Sequence, residues 1–199
     1  MKRRQVGDKR SFVFGQRRKN EKKSESGQLR ATTLNVGRIF CGVMEKIASF
    51  TIDHNLLERG LYVSRTDECG KVYVTTFDLR FTRPNRDAVM STGAVHTVEH
   101  IFATYFRNSE IKDRVVYFGP MGCRTGFYLV MFGRLSPEDV FDAVIDACDH
   151  LLSFAGEIPG ATARECGNYS DQDLPAAKAF VKAYRDDLAS NKRFVYPVG

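Results

Sequence analysis

Two periodicities of apolar residues run along this chain, and they predict both strands and helices. Runs rich in Val, Thr, Tyr and Phe predict strands at residues 47–52, 71–82, 115–118 and 126–132. Apolar residues spaced three and four apart predict helices at residues 93–108, 137–154 and 175–189. The strands and helices are segregated, so the sequence predicts an α+β fold in which a mostly antiparallel β-sheet packs against α-helices.

Each predicted helix has one apolar face that we expect to be buried. In the first helix this face consists of Val98, Ile101, Phe102 and Tyr105. In the second it consists of Phe141, Val144, Ile145, Cys148 and Leu152, and in the third of Phe180, Val181, Tyr184 and Leu188. The second helix has a clear start, with Ser136 as N-cap, Pro137 at the first position and Asp139 three residues after the cap.

Charge is divided unevenly between the amino-terminal segment and the rest of the chain. Residues 1–43 hold twelve Lys/Arg and three Asp/Glu, a net charge of +9, whereas residues 44–199 hold eighteen and twenty-one, a net charge of −3. We therefore predict a basic, disordered tail at 1–43 and a single α+β domain at 44–199, with Met44 as a candidate for the true start. A nucleic-acid-binding domain would carry positive charge on its folded body, so no nucleic-acid partner is expected.

The cysteines are odd in number and irregularly spaced, at Cys41, Cys69, Cys123, Cys148 and Cys166. No disulfide framework is therefore predicted. No apolar run approaches the roughly 20 residues that cross a bilayer, and no secretory core is recognisable. We expect a cytoplasmic protein without a membrane partner, whose reduced thiols are free to act as ligands or acid–base groups.

The stretch His96-Thr97-Val98-Glu99-His100 points most directly to chemistry. On a helix, two histidines four residues apart project from one face, where both imidazoles can bind one divalent metal. Glu99 would then lie beside the metal, in position to move protons. The pattern also matches the H-x-x-E-H signature of the inverted zinc proteases.

Two cysteines could complete such a site. Cys166 precedes Gly167 after an irregular stretch and is our candidate for the third metal ligand, although a lone cysteine is more often a small buried residue. Cys123 occupies a tight Pro-Met-Gly-Cys turn beside Arg124. It is either a buried turn cysteine or a thiol that acts as acid or base near neutral pH.

Two further side chains allow both a structural and a functional interpretation. His54 follows Asp53, whose carboxylate could orient the imidazole, and an exposed turn histidine is the alternative. Arg80 shares a strand face with Asp78. A cross-strand ion pair would explain Arg80 structurally, and a grip on a substrate carboxylate would explain it functionally.

Five motifs occur in a fixed order along residues 44–199. They are Ser49-Phe50-x-x-Asp53-His54, Phe77-Asp78-Leu79-Arg80-Phe81, His96-Thr-Val-Glu-His100, Gly119-Pro-Met-Gly-Cys123-Arg-Thr-Gly and Glu165-Cys166-Gly167. In this order they resemble the S-ribosylhomocysteine lyase family, the LuxS-type autoinducer-2 synthases. The resemblance covers nearly all of the predicted domain and does not include the basic tail.

The resemblance implies an α+β homodimer with two identical active sites at the subunit interface. It implies one divalent metal per subunit, iron(II) with zinc or cobalt able to substitute, bound by His96, His100 and Cys166. It also implies an acid–base pair formed by Glu99 and Cys123. The substrate-contacting residues, from the same or the partner subunit, would be Ser49, His54 and Arg80.

The implied reaction converts S-ribosylhomocysteine to homocysteine and 4,5-dihydroxy-2,3-pentanedione, the precursor of the autoinducer-2 used in quorum sensing. The carbonyl group migrates along the sugar, and the thiol then leaves by β-elimination. A Lewis-acidic metal would stabilise the oxyanions while Cys123 and Glu99 move protons. Many family members carry an Asp where this chain has Tyr117. If that carboxylate helps to hold the substrate's amino group, the contact must here come from elsewhere, such as backbone carbonyls.

Two other functional classes share part of the pattern. An inverted-zinc metallohydrolase or peptidase also has H-x-x-E-H, but it needs a downstream glutamate as third ligand and normally a much longer chain. Cys166 suits the third position better, because a thiolate with two imidazoles suits iron or zinc. A non-enzymatic metal module would need a closed four-ligand site, and the sequence offers no fourth ligand.

Overall fold

The computed structural model describes residues 46–47 and 50–197, so the predictions for residues 1–43, Met44 and Ser49 lie outside the described residues. The elements follow in the order β1 (Gly60–Cys69), β2 (Val72–Arg80), α1 (Thr92–Phe106), a 3₁₀ turn (Lys112–Arg114), β3 (Val115–Pro120), β4 (Gly126–Phe132), α2 (Glu138–Ser153) and α3 (Leu174–Asn191). The predicted α+β architecture is confirmed. Within the described ranges no helix has the length and apolar character to span a membrane.

The four strands form one antiparallel sheet in the order β1-β2-β4-β3. Side chains alternate along β2, so the sheet has two faces of different chemistry. Phe77 and Leu79 belong to the apolar core that the helices cover. Asp78 and Arg80 point to the opposite face and are also buried. Buried charges are costly unless they are paired, so the side chains on this second face have to provide partners for Asp78 and Arg80.

The helices bury most of the residues predicted for their apolar faces. In α3 these are Val181, Tyr184 and Leu188, and Phe180 is partly buried. In α1 the residues Val98, Ile101 and Phe102 are fully buried, as predicted, and Tyr105 is half-buried. The buried face of α2 instead consists of Val140, Val144, Ala147, Cys148 and Leu151. The larger residues of the predicted face are partly buried and flank it. The fully buried face of α2 is therefore centred on smaller residues than predicted, and the bulky side chains pack along its edges.

The structure corrects one strand prediction and adds one strand that the sequence pattern does not predict. The strand predicted at 47–52 is wrong: the amide of Phe50 donates to the carbonyl of Ile47 at 2.8 Å, residues 50–52 pair with no strand, and the Phe50 side chain is 69% exposed. Strand β1 was not predicted. Its first half is buried and its second half, from Arg65 to Cys69, is exposed. The sequence therefore lacks the strict alternation by which a half-buried strand is recognised.

The start of α2 lies one residue later than predicted. Pro137 occupies the cap position, and the helix begins at Glu138. The carboxylate of Asp139 accepts hydrogen bonds from the backbone amide of Ser136 at 2.8 Å and from its hydroxyl at 3.1 Å. The Ser136 hydroxyl therefore donates to Asp139 instead of accepting from the helix amides, and only the reciprocal half of the predicted capping arrangement forms.

Candidate functional site

Helix α1 presents His96 and His100 on one side, one turn apart. The hydroxyl of Ser91 accepts from the amide of Ala94 at 3.2 Å and caps the helix. The buried apolar stripe then fixes the rotation of the helix, which leaves both histidines half-buried on its flank. Their ring centroids are 4.5 Å apart and their planes cross at 83°. Two imidazoles in this arrangement can both be directed at one ion.

Each imidazole is oriented by a backbone carbonyl from the segment between α2 and α3. His96 Nδ1 lies 2.9 Å from the carbonyl oxygen of Asp171, and His100 Nδ1 lies 2.7 Å from that of Pro159. A carbonyl can only accept, so each Nδ1 carries the proton and each Nε2 keeps a free lone pair. The amide nitrogen of Gln172 lies 3.2 Å from His96 Nδ1 and would need the other tautomer, but the carbonyl contact is the shorter one.

The same segment brings Cys166 to the histidine pair. Its Sγ lies 3.3 Å from His96 Nε2, and one ligand atom from each of His96, His100 and Cys166 lies within 4.8 Å of the other two. The amide of Asn168 donates to Sγ at 3.4 Å and helps to hold the sulfur in place. Two neutral nitrogens and one thiolate suit iron or zinc, and three protein ligands leave one coordination position open. These three residues could therefore hold a catalytic metal.

Glycine is required at one point beside this group. Gly160 has φ +71°, and a Cβ at this position would lie 3.4 Å from His100 Nδ1. Any other residue would be strained in this backbone conformation, and its Cβ would be in direct contact with the imidazole that the Pro159 carbonyl orients. The backbone of Gly160 therefore helps to determine where His100 can lie.

Glu99 lies in the same cavity as the two histidines. This cavity, of about 410 Å³, is lined by His96, Glu99, His100, Ala103, Thr104, Pro159 and Gly160. Within residues 50–197 the Glu99 carboxylate accepts no hydrogen bond and forms no ion pair, and it is half-buried. A carboxylate without a structural partner next to a ligand group is free to exchange protons with a bound molecule.

The other predicted residues line a second, larger cavity of about 640 Å³. His54, Arg80 and Cys123 contribute to its wall, together with Phe50, Pro84, Asn85, Asp87, Val89, Pro120, Met121, Gly122, Thr125 and Tyr128. The two cavities have no lining residue in common. A single protomer therefore brings His54, Arg80 and Cys123 together and brings Glu99 to the metal ligands, but it places these two groups in separate cavities.

His54 is oriented by the backbone and not by the neighbouring carboxylate. Its Nδ1 lies 2.9 Å from the carbonyl oxygen of Ile52, so Nε2 is left free. The Asp53 carboxylate accepts instead from the amide of Asn55 at 2.9 Å. The prediction that Asp53 orients His54 is therefore wrong, because the short aspartate side chain closes its own turn.

Arg80 forms its ion pair within one strand and not across two. Arg80 Nη2 lies 2.5 Å from Asp78 Oδ2, and both side chains are almost fully buried. Burial raises the pKa of Asp78 and outweighs the opposing effect of the Arg80 guanidinium. The hydroxyl of Tyr196 donates to the same Asp78 oxygen at 3.0 Å, and its ring stacks on Tyr62. Arg80 is thus held rigidly while it faces the cavity.

Cys123 lies in the turn between β3 and β4. The amide of Arg124 donates to the carbonyl of Met121 at 2.9 Å, and Arg124 has φ +57°. The Cys123 side chain is exposed, so the alternative of a buried turn cysteine is wrong. Its Sγ lies 3.0 Å from the hydroxyl of Thr125. Cys148, by contrast, is fully buried, and burial raises its pKa, which agrees with the structural role predicted for it.

Sequence reasoning missed Thr125 as a member of this group. Arg80 Nη1 donates to Thr125 Oγ1 at 2.5 Å, which links the ion pair to the Cys123 turn. The close approach depends on Gly126, since a Cβ there would lie 2.3 Å from the carbonyl oxygen of Leu79. The position of Thr125 two residues after Cys123 was the only signal available in the sequence.

Comparison with known proteins gives concordant matches. A family model described as S-Ribosylhomocysteinase (LuxS) matches residues 47–194. The S-ribosylhomocysteine lyase of Clostridium acetobutylicum is 48% identical over 157 residues, which cover 77% of this chain and 99% of the relative. That of Finegoldia magna is 47% identical over 156 residues, covering 77% and 99%. That of Phocaeicola vulgatus is 52% identical over 136 residues, covering 68% and 84%.

Proposed function

This chain belongs to the S-ribosylhomocysteine lyase (LuxS) family, and from that premise we propose that it cleaves S-ribosylhomocysteine to homocysteine and 4,5-dihydroxy-2,3-pentanedione. It is a carbon–sulfur lyase. The observation that carries the proposal is the convergence of His96, His100 and Cys166 in a chain that also exposes Cys123 to a large cavity. The peptidase alternative fails on the same observation, because a cysteine and not a downstream glutamate meets the histidine pair.

We propose that the three converging residues bind one divalent metal per subunit. Iron(II) is the proposed native ion, and zinc or cobalt could replace it, because all three accept a mixed nitrogen and sulfur ligand set. When bound, the metal supplies Lewis-acid stabilisation of negative charge on the sugar oxygens. The carbonyls of Asp171 and Pro159 hold both imidazoles in the tautomer that such binding needs.

Cys123 and Glu99 are proposed as the acid–base pair. One of them removes a proton from the sugar carbon next to the carbonyl. A proton delivered to the former carbonyl carbon, together with transfer of the neighbouring hydroxyl proton to the former carbonyl oxygen, moves the carbonyl by one position. Two such shifts bring the carbonyl to C3. Removal of the C4 proton then expels the homocysteine thiol from C5, and the enol that remains at C4–C5 takes up a proton at C5 to give the second ketone of the product. An exposed thiol and an unpaired carboxylate are suited to these transfers.

The substrate is proposed to contact Ser49, His54 and Arg80. His54 keeps its Nε2 free, and the Arg80 guanidinium faces the cavity from a rigid position. Ser49 lies outside the described residues, and its role rests on the family motif alone. Position 117 carries a half-exposed tyrosine, so no aspartate is available there to bind the amino group of the homocysteine part.

We propose that the enzyme works as a homodimer whose active sites are shared between subunits. Cys123 and Glu99 must contact one substrate, yet their cavities share no lining residue within a protomer. Two copies that face each other would join the Cys123 cavity of one subunit to the metal ligands of the other. A twofold arrangement creates two such sites at once.

A cytoplasmic location is proposed because the described cysteines form no disulfide bonds. Cys69, Cys123, Cys148 and Cys166, the cysteines within residues 50–197, are all unpaired. Unpaired thiols, one of them a proposed metal ligand, fit a reducing compartment. There the reaction would recycle homocysteine in the activated methyl cycle and release the autoinducer-2 precursor.

The proposed function is tested by thiol release. Protein purified anaerobically and loaded with iron(II) is incubated with S-ribosylhomocysteine, and free homocysteine is measured with a thiol reagent. We expect continuous release from the loaded protein and none from the chelator-treated protein. A loaded protein that releases no thiol would defeat the proposal.

A further inference from the structure

Thr125 occupies a fixed position between the buried ion pair and the Cys123 thiol. It is 4% exposed, and its carbonyl oxygen accepts hydrogen bonds from the amides of Phe81 and Thr82, both at 3.0 Å. These two bonds attach its backbone to the end of strand β2. Thr125 is therefore fixed by its hydrogen bonds to the residues that follow β2, although it lies next to an exposed turn.

The direction of the hydrogen bonds at this hydroxyl follows from its neighbours. Arg80 has only donors, so its Nη1 must donate to Thr125 Oγ1, at 2.5 Å. A hydroxyl has one proton of its own, and Arg80 cannot accept it. The Cys123 Sγ, 3.0 Å away, is its other contact in the described part of the chain. Because Arg80 takes up an acceptor position of the hydroxyl and not its proton, the Thr125 proton is available to the sulfur, which can accept it.

We propose that Thr125 is a positioning residue that donates a hydrogen bond to the Cys123 sulfur and stabilises its thiolate form. The inference rests on the proposed function in that Cys123 is taken as the acid–base group of the reaction. A thiolate accepts hydrogen bonds more strongly than a thiol, so a fixed hydroxyl donor increases the fraction of thiolate near neutral pH. The donor also fixes the sulfur on the cavity side of an otherwise exposed turn.

The donor is held in turn by charges behind it. Arg80 cannot rotate away from Thr125, because its second terminal nitrogen is paired with Asp78 at 2.5 Å. Asp78 is fixed by Tyr196, which lies beyond residue 194, where the family match ends. The positive charge of Arg80 also polarises the Thr125 hydroxyl and makes it a better donor to sulfur.

The test measures the alkylation of Cys123 in the full-length, metal-loaded protein. Wild type, Thr125→Val and Thr125→Ser are treated with iodoacetamide at about pH 7 and about pH 10, the latter above the ordinary ionisation range of a thiol. Peptide mass spectrometry gives the rate constant for each cysteine separately. Cys69 is an exposed thiol in the same chain and serves as the internal reference.

We expect Thr125→Val to slow Cys123 alkylation about tenfold at the lower pH, and Thr125→Ser to retain the wild-type rate, because serine keeps the hydroxyl. At the higher pH the three rates should converge, since the thiolate then forms without help. A Thr125→Val rate equal to wild type near neutral pH would overturn the proposal. So would an equal loss at both pH values, which indicates altered access and not altered ionisation.

Two features keep the test decisive. If Thr125→Val does not fold, Thr125→Ala lacks the hydroxyl with less demand on space, and its comparison with Thr125→Ser carries the same expectation. Alkylation requires no turnover. A protein that shows the expected alkylation pattern but releases no homocysteine would contradict the proposed function and leave the role of Thr125 standing.

Discussion

His96 Nε2 and Cys166 Sγ lie 3.3 Å apart, although 70 residues separate them in the chain. Helix α1 supplies the imidazole, and the segment between α2 and α3 supplies the thiol. The contact joins the two halves of the fold at the proposed metal centre. The two imidazoles are oriented by backbone carbonyls of this segment, and a side-chain substitution there does not directly remove a backbone carbonyl. The metal centre can therefore be tested one ligand at a time.

Substitution of a ligand should release the metal without unfolding the domain. We expect Cys166→Ala to lose most of its metal during dialysis against a chelator that leaves the wild type loaded, because two imidazoles bind far more weakly than a complete set. Elemental analysis measures the metal content. Cys69→Ala, which alters an exposed cysteine outside the centre, should remain loaded. A loaded Cys166→Ala protein would exclude Cys166 as a ligand.

Removal of the proposed acid–base thiol should separate chemistry from metal binding. We expect Cys123→Ala to keep its metal and to lose turnover by about two to four orders of magnitude, the usual contribution of a positioned acid or base. Thiol release and metal content are measured on the same preparation. Loss of metal in this variant would instead make Cys123 a ligand and reverse its assignment.

Gly160 should influence the metal through His100. We expect Gly160→Ala to weaken metal binding, because the new methyl group would lie 3.4 Å from His100 Nδ1 in a backbone conformation that disfavours alanine. Gly156→Ala is the matched control. Gly156 also has a positive φ, of +130°, but a Cβ there meets no atom within 4 Å. Titration with a competing chelator should give a lower affinity for the first variant only, and equal losses in both would indicate backbone strain alone.

The sequence predicted those parts of the site that depend on a single helix or on a short motif. His96, Glu99 and His100 lie within one turn of a single helix, so their proximity could be predicted from the sequence alone. Thr125 could not be recognised, because its contact with Arg80 depends on the pairing of β2 with β4 across 45 residues. Strand β1 escaped prediction for a similar reason. Its exposed half is held by pairing with β2 and not by its own pattern of burial.

Acid should destabilise the fold partly through Asp87. Hydrogen bonds from Arg83, with the nearby charge of Arg59, lower the pKa of Asp87 from 3.8 to about 2. A carboxylate with a lowered pKa contributes stability above its unfolded value, and this contribution is lost as the pH falls through the folded value. Between about pH 4 and about pH 2, the wild type should therefore lose about 1–2 kcal/mol more than Asp87→Asn does.

Denaturant unfolding at several pH values measures this difference. Asp186→Asn is the control, because Asp186 also has a lowered pKa from its ion pair with Lys182, but the pair is exposed to solvent. Solvent screening should leave its acid profile close to that of the wild type. An Asp87→Asn profile that follows the wild type through the same pH range would contradict the prediction.

The shared active site can be tested by mixing two inactive variants. Cys123→Ala and Glu99→Gln each remove one member of the proposed acid–base pair, and each should be inactive alone. If Cys123 of one subunit acts with Glu99 of the other, a mixed dimer contains one site with both groups intact and one site with neither. Half of the dimers in an equal, fully exchanged mixture are mixed, so about a quarter of the wild-type activity should return.

If both groups came from the same subunit, every site in the mixed dimer would lack one of them, and mixing would restore nothing. The two cavities that share no lining residue in the protomer favour the first result.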